Sequence, residues 1–153
     1  MRLVRKEGAE PKRKKNIATC APIPINLKKP ANKMVQELID AEIIYEITTP
    51  TEFCSPGRFI SKKDADKARL VVDYRSINGV LERPAFIIMT PYEVKSSIKE
   101  DWNVFFPADM MSGYFQIPLE EESKELTTFI IPQGRFAYNV TPMGLLPSGD
   151  TFN

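Results

Sequence analysis

Thirteen prolines in 153 residues set the terms on which this chain can fold. A proline donates no backbone hydrogen bond and fixes φ near −65°, which bars it from helix interiors and central strands. Pro11, Pro22, Pro24 and Pro30 forbid any long helix in the first 30 residues, and "CAPIPINL" (20–27) reads as an extended arm. Beyond them, Met34, Val35, Leu38 and Ile39, followed by Ile43 and Ile44, fall at helical spacing and predict a helix over 32–42. Pro50, Pro56 and Gly57 break the chain again. "RFISKK" and "RLVVDYR" are then two β-rich runs around the polar connector "KKDADKA", which has the form of a hairpin.

A second helix carries its own start signal in "TPYEVKSSIKED" (90–101). Thr90 is the N-cap, Pro91 the first helical residue, and Glu93 the carboxylate of a capping box, with Val94 and Ile98 as the buried stripe. "NVFF" (103–106), "TTFII" (127–131) and "RFAYNV" (135–140) read as strands, and "PSGDTFN" (147–153) as a helix entrance. Tyr74, Phe105, Phe106, Phe129 and Phe136 are expected in the core, with Trp102 as a partly buried cover. The succession predicts an α+β fold, a mostly antiparallel sheet with flanking helices.

Composition fits that picture: 42% hydrophobic and 27% charged residues suffice for one domain, or parts of two, with a core of its own. Charge is uneven. Seven of the 21 basic residues lie in the first 15 positions beside two of the 20 acidic ones, leaving 14 against 18 in the remainder. An arm such as "PKRKK" suits contact with phosphates, an import signal, or a solvated tail. With no histidine and only Cys20 and Cys54, zinc-site spacing and His-dependent nucleophilic catalysis are excluded. There is no apolar run of membrane-spanning length and no secretory leader, so an intracellular setting, cytoplasmic or nuclear, is expected.

Two local features suggest chemistry. Lys62, Lys63, Lys67 and Arg69 surround the hairpin turn, an arrangement suited to covering a polyphosphate but found more often in an ordinary charged turn. Asp109, followed by Ser112, Gly113 and Tyr114, places a carboxylate where a hard divalent cation could be held, with small residues that let backbone N–H groups approach an anion. It is also the residue type of a plain turn or cap. Asp73 and Arg75 read as a structural ion pair or a turn contact, and Gln116 as a strand residue facing solvent.

The ordered blocks "CSPGRFISKKDADKARLVVDYRSINGV", "FPADMMSGYFQIPLEEESKELTTFI" and "GRFAYNVTPMGLLPSGDTFN" resemble the fingers and palm of reverse transcriptases, RNA-directed DNA polymerases, of Ty3/gypsy-type long-terminal-repeat retrotransposons and their retroviral relatives. The resemblance runs from Pro22 to Asn153, leaving 1–21 as a basic, Pro-containing arm, flexible by expectation. It implies a right-hand polymerase with fingers and an incomplete palm. It further implies two-metal nucleotidyl transfer assisted by Mg2+ (or Mn2+), with Asp109 as the first metal-binding carboxylate and the Met110 backbone carbonyl as a further ligand. Lys62 and Arg69 would grip the incoming triphosphate, the amides of Ser112 and Gly113 would donate to it, and Tyr114 would exclude a 2′-hydroxyl. Met143 and Gly144 would lie on the loop contacting nucleotide and template, and Gln116 would approach the primer or template. The implied partners are an RNA/DNA template–primer and a dNTP, with no membrane.

The chain departs from the pattern in places. Pro107 interrupts the strand before Asp109, Met143 stands where Phe or Gln is usual, and "LLPSGDTFN" replaces a more frequent Asn-Ala-Pro. No Tyr-X-Asp-Asp motif occurs, and thumb and ribonuclease H regions are absent from these 153 residues. One aspartate cannot hold two hard cations. The expectation is therefore a polyprotein fragment inactive by itself, with a noncatalytic nucleic-acid-binding remnant and an inert product of a decayed element as alternatives.

Overall fold

The computed structural model describes residues 1–10, 20–49, 51–61, 67–83 and 89–152, and the side chains of all of these except Phe152. After a single 3-10 turn at Ile25–Leu27, where an extended arm was expected, helix α1 spans Lys28–Asp40. It begins earlier than its apolar pattern because Pro30 lies in the first turn, where a missing N–H costs nothing. Ala31, Val35 and Leu38 form its buried stripe and pack toward the sheet. Strand β1 (Ile44–Glu46) follows at once, from residues whose spacing also suits a helix.

The hairpin forms as expected: β2 (Ser55–Ser61) pairs antiparallel with β3 (Ala68–Val72), Gly57 opposite Val72 and Ser61 opposite Ala68. Residues 62–66 of its connector, Lys62 and Lys63 among them, lie outside the described residues. One turn of helix, α2 (Arg75–Asn78), leads toward α3 (Pro91–Ser97). The α3 capping box is complete, with the Glu93 N–H donating to Thr90 Oγ1 and the Thr90 N–H to Glu93 Oε2. Farther on come the 3-10 turn Gly113–Gln116, α4 (Glu121–Lys124), a 3-10 turn at Glu125–Thr127, β4 (Phe129–Ile131), β5 (Gly134–Tyr138) and α5 (Leu146–Phe152).

Among the described residues, five strands join in the order β1-β5-β4-β2-β3. The sheet is mixed: β1–β5, β5–β4 and β2–β3 are antiparallel, and β2–β4 is parallel through Ser55 opposite Phe129 and Pro56 opposite Ile130. Gly57 allows that parallel join, since a Cβ there would stand 2.6 Å from Ile131 Cγ2. Phe129 is fully buried at the centre, its ring 5.9 Å from that of Phe136 and 5.2 Å from that of Tyr138. Burying a ring of this kind contributes ~1.5–3 kcal/mol. Beside it the Tyr74 hydroxyl donates to the Thr127 carbonyl at 2.9 Å, and the Tyr138 N–H to Thr127 Oγ1 at 2.9 Å.

Residues 89–111 depart most from expectation. "NVFF" is not a strand, and Phe105 and Phe106, expected in the core, are 60% and 90% exposed. Val94 and Ile98 are 48% and 41% exposed, so α3 has no buried stripe, and Trp102 is half-exposed. A strand is held by ladder bonds to a neighbour. Among the described residues no strand lies beside this run, and Pro107 removes one donor from it.

Candidate functional site

The hairpin, α2, the loop before α5 and residues 20–22 enclose a cleft of about 670 Å³, with Arg58, Asp73, Arg75, Asn78 and Gly144 on its walls. Arg58 reaches it because β2 alternates strictly, placing Ser55, Gly57 and Phe59 inward and Arg58 outward. In the β2–β3 register Arg58 opposes Val71 and Ile60 opposes Arg69, so both arginines project from the same outer face of the hairpin. Arg69 is exposed there.

Asp73 follows β3, its N–H donating to the Pro56 carbonyl at 3.0 Å. Its carboxylate accepts two bonds from Arg75, Nε to Oδ1 at 2.8 Å and Nη2 to Oδ2 at 2.6 Å, and a third from the Arg75 N–H at 3.2 Å. The ion pair expected from sequence is therefore present. Hydrogen bonding to Asp73, and then the charge of Asp73, hold the Arg75 pKa above its ordinary value. The guanidinium side chain remains 83% exposed against 29% for its partner. A planar cation fixed on one edge and open on the other suits a phosphate.

Asn78 performs a task that its sequence context hides. Its Nδ2 donates to the Gly144 carbonyl at 2.9 Å, while its Oδ1 accepts from the Leu146 N–H at 2.8 Å. Both ends of the carboxamide thus hold the loop that carries Met143 and Gly144. Gly144 sits at φ +97°, and a Cβ would meet only ordinary contacts, 3.7 Å from Tyr74 Cδ2, so conformation rather than space demands glycine. The loop is further fixed by Thr141, whose N–H and hydroxyl both donate to the Ile117 carbonyl, and by the Ser148 hydroxyl on the Pro142 carbonyl at 2.9 Å. "SINGV" reads as a turn because Asn-Gly is a turn pair. Nothing local signals the partner 66 residues away. Arg83 likewise reaches the buried Asp150 of α5, Nε to Oδ2 at 3.1 Å.

The remaining sequence candidates do not gather at this cleft. Asp109 and Met110 are exposed, in a run without regular structure. Ser112 is exposed in the left-handed region at φ +53°, a conformation that costs a non-glycine residue about 1–2 kcal/mol. Gly113 is buried and Tyr114 half-buried in the 3-10 turn, with the Phe115 N–H on the Ser112 carbonyl at 2.8 Å. Gln116, in that turn rather than on a strand, donates to the Met111 carbonyl at 2.9 Å. Met143 is exposed, and Lys62 lies outside the described residues. A two-ion centre needs several anionic oxygens converging on the metals. Among the described residues no three carboxylate, cysteine or histidine groups converge, so the side chains placed here do not fit such a centre.

Comparison with known proteins identifies the family and the fold. Residues 60–153 match the family model described as reverse transcriptase (RNA-dependent DNA polymerase). The chain is 32% identical over 124 residues to the enzymatic polyprotein of figwort mosaic virus (strain DxS), covering 78% of this chain and 18% of that one. It is 30% identical over 124 residues to the enzymatic polyprotein of cauliflower mosaic virus (strain Strasbourg), covering 79% and again 18%. It thus spans under a fifth of the length of these relatives. Among solved structures, a prototype foamy virus protease–reverse transcriptase superposes over 88% of this chain and 18% of its own, with TM-score 0.71 at 20% identity. A foamy viral protease–reverse transcriptase in complex with double-stranded DNA covers 88% of this chain and 22% of its own, with TM-score 0.65 at 18% identity.

Proposed function

The chain belongs to the reverse transcriptase family, and on that premise we propose that it forms the fingers and leading palm of an RNA-directed DNA polymerase, its cleft gripping the phosphate backbone of a template. One observation carries the reading: Arg75, fixed by Asp73, faces the same cleft as Arg58 and the Asn78-clamped Gly144 loop. Two exposed cations beside a rigid loop favour a polyanion, and the orientation of Arg75 is set before the ligand arrives. The double-stranded DNA in the foamy viral complex supports a nucleic-acid partner. The sequence blocks support the Ty3/gypsy branch, and the relatives reported above are viral.

In the complete enzyme, Asp109 and the Met110 carbonyl are assigned to the metal centre, with Arg69 and Lys62 on the triphosphate. The Ser112 and Gly113 amides, Tyr114, Met143 and Gly144 are assigned to the nucleotide; these roles rest on the motifs. Asp109 would be one of several carboxylates needed to hold Mg2+ or Mn2+, which would supply charge neutralisation at the phosphate. The 153-residue chain offers one of those carboxylates, so it should bind template without extending a primer.

Fluorescence anisotropy with a labelled RNA/DNA primer–template, across a salt series, tests the grip. Arg58→Ala and Arg75→Ala should each weaken binding and lower the salt slope by about one. Equal binding by both variants and the unmodified chain would refute the assignment of the cleft. Primer extension that disappears in Asp109→Ala would refute the expected inactivity.

A further inference from the structure

Residues 1–6 lie outside the span matched by the family model, yet they are woven into the fold. Leu3 is 6% exposed and belongs to the core, while Arg2 and Val4 on either side point outward. This is the alternation of an extended strand. The segment is bonded along both flanks. On one side the Glu120 N–H donates to the Met1 carbonyl at 3.0 Å, and the Leu3 N–H to the buried Ser123 Oγ at 2.8 Å. On the other the Glu82 N–H donates to the Val4 carbonyl at 2.8 Å and the Lys6 N–H to the Val80 carbonyl at 2.9 Å, with Arg5 opposite Leu81 as an antiparallel bridge. The Arg5 guanidinium lies 5.1 Å from the centre of the Phe53 ring. Beside the segment runs a cleft of about 270 Å³, walled by Phe53, Glu122 and Leu126.

We propose that Val80–Glu82 and Pro118–Ser123 form a strand-accepting groove, filled in cis by residues 1–6, that recognises an extended backbone bearing an apolar side chain at its third position. Main-chain bonds supply affinity, and the Leu3 socket supplies selection, as in strand addition to a sheet edge. The groove is also joined to the candidate site along the chain. One wall follows directly on α2, with Arg75 and Asn78, and the other on the 3-10 turn Gly113–Gln116. Occupancy of the groove therefore sets how these two segments sit relative to each other; this last step rests on the template-gripping reading.

The test uses the full 153-residue chain, its Leu3→Asp variant and a labelled peptide of residues 1–7. Leu3→Asp sets a carboxylate against the apolar socket and should expel the segment, raising amide exchange at Glu82 and Glu120 at least tenfold. The peptide should then bind the variant saturably, restore protection, and ignore the unmodified chain; a peptide carrying the same substitution should not bind. Unchanged exchange, or a folded variant that takes no peptide, overturns the groove. Should Leu3→Asp lose its circular dichroism signal, Ser123→Ala, which removes only the hydroxyl acceptor, should raise exchange at Leu3, and no rise overturns the proposal. If the unmodified chain binds primer–template, Leu3→Asp should weaken that binding and the peptide should recover it. Binding that Leu3→Asp leaves intact overturns the coupling alone. An unmodified chain that binds no nucleic acid sinks the template reading, while exchange and peptide binding still decide the groove.

Discussion

Replacing Gly57 by alanine puts a methyl group where β2 and β4 run parallel. Its Cβ would stand 2.6 Å from Ile131 Cγ2, 3.2 Å from the Ile130 carbonyl oxygen and 3.4 Å from Phe129 Cδ2. Carbon atoms pack at ~3.5–4.0 Å, so Ile131 must retreat by about 1 Å. It has little room, being 1% exposed and β-branched, hence stiff at χ1. Overpacking of this kind costs ~1–3 kcal/mol. The opposing term is smaller, because alanine orders in a strand more readily than glycine by about 0.5–1 kcal/mol. The steric term wins, for a net loss of roughly 0–2.5 kcal/mol. Urea unfolding followed by circular dichroism measures it, and a double-mutant cycle with Ile131→Ala isolates the cause. That second substitution alone costs ~2–5 kcal/mol, but it opens the space the new methyl needs. Gly57→Ala should then be neutral or stabilising, with a coupling of ~1 kcal/mol or more. An unmodified background stabilised by Gly57→Ala, or strict additivity with Ile131→Ala, would refute the close approach of these strands.

Asn78→Ala should cost ~1–3 kcal/mol, because the Gly144 carbonyl and Leu146 N–H both lose their partner. Asn78→Asp should free the loop as well, keeping an acceptor for Leu146 while turning an oxygen on Gly144; unchanged exchange at the Leu146 amide in both variants would exclude the clamp. Burial raises the phenol pKa values of Tyr74 and Tyr138 above the ordinary 10.0. Their neutral forms therefore favour the folded state fully below that pH, and the contribution is lost as pH rises through the folded values. A spectrophotometric titration should find these two of the five tyrosines ionising only as the chain unfolds, and reversible titration of all five in a folded chain would contradict it.

What could be read from the sequence was local chemistry. The Thr90–Glu93 capping box, the β2–β3 hairpin and the Asp73–Arg75 pair each depend on partners a few residues apart or joined by one short connector, and each stands in the structure. What escaped depends on distant neighbours. The three residues of β1 are strand because β5 lies alongside; their own spacing suits the end of a helix. "NVFF" has strand composition and, among the described residues, no partner strand, so composition alone misplaced Phe105 and Phe106. Site reading divided in the same way. The motifs marked the Gly144 loop and the Arg69 strand, but not Asn78 or Arg58, whose parts come from strand alternation and a bond across the fold.

The order in which the strands join has a consequence for how the protein is made. β1 emerges from the ribosome well before its ladder partner β5, with Ile44 waiting for Tyr138. At about 5–20 residues per second, roughly 5–20 s of translation separate the two. β2 waits almost as long for β4, whereas β3 reaches β2 within moments. During that interval the nascent chain carries a finished hairpin and a helix beside an unpaired apolar strand, the state that holdase chaperones recognise. Pauses in translation between codons 72 and 129 would lengthen that exposure, and synonymous changes there should alter soluble yield without altering the protein.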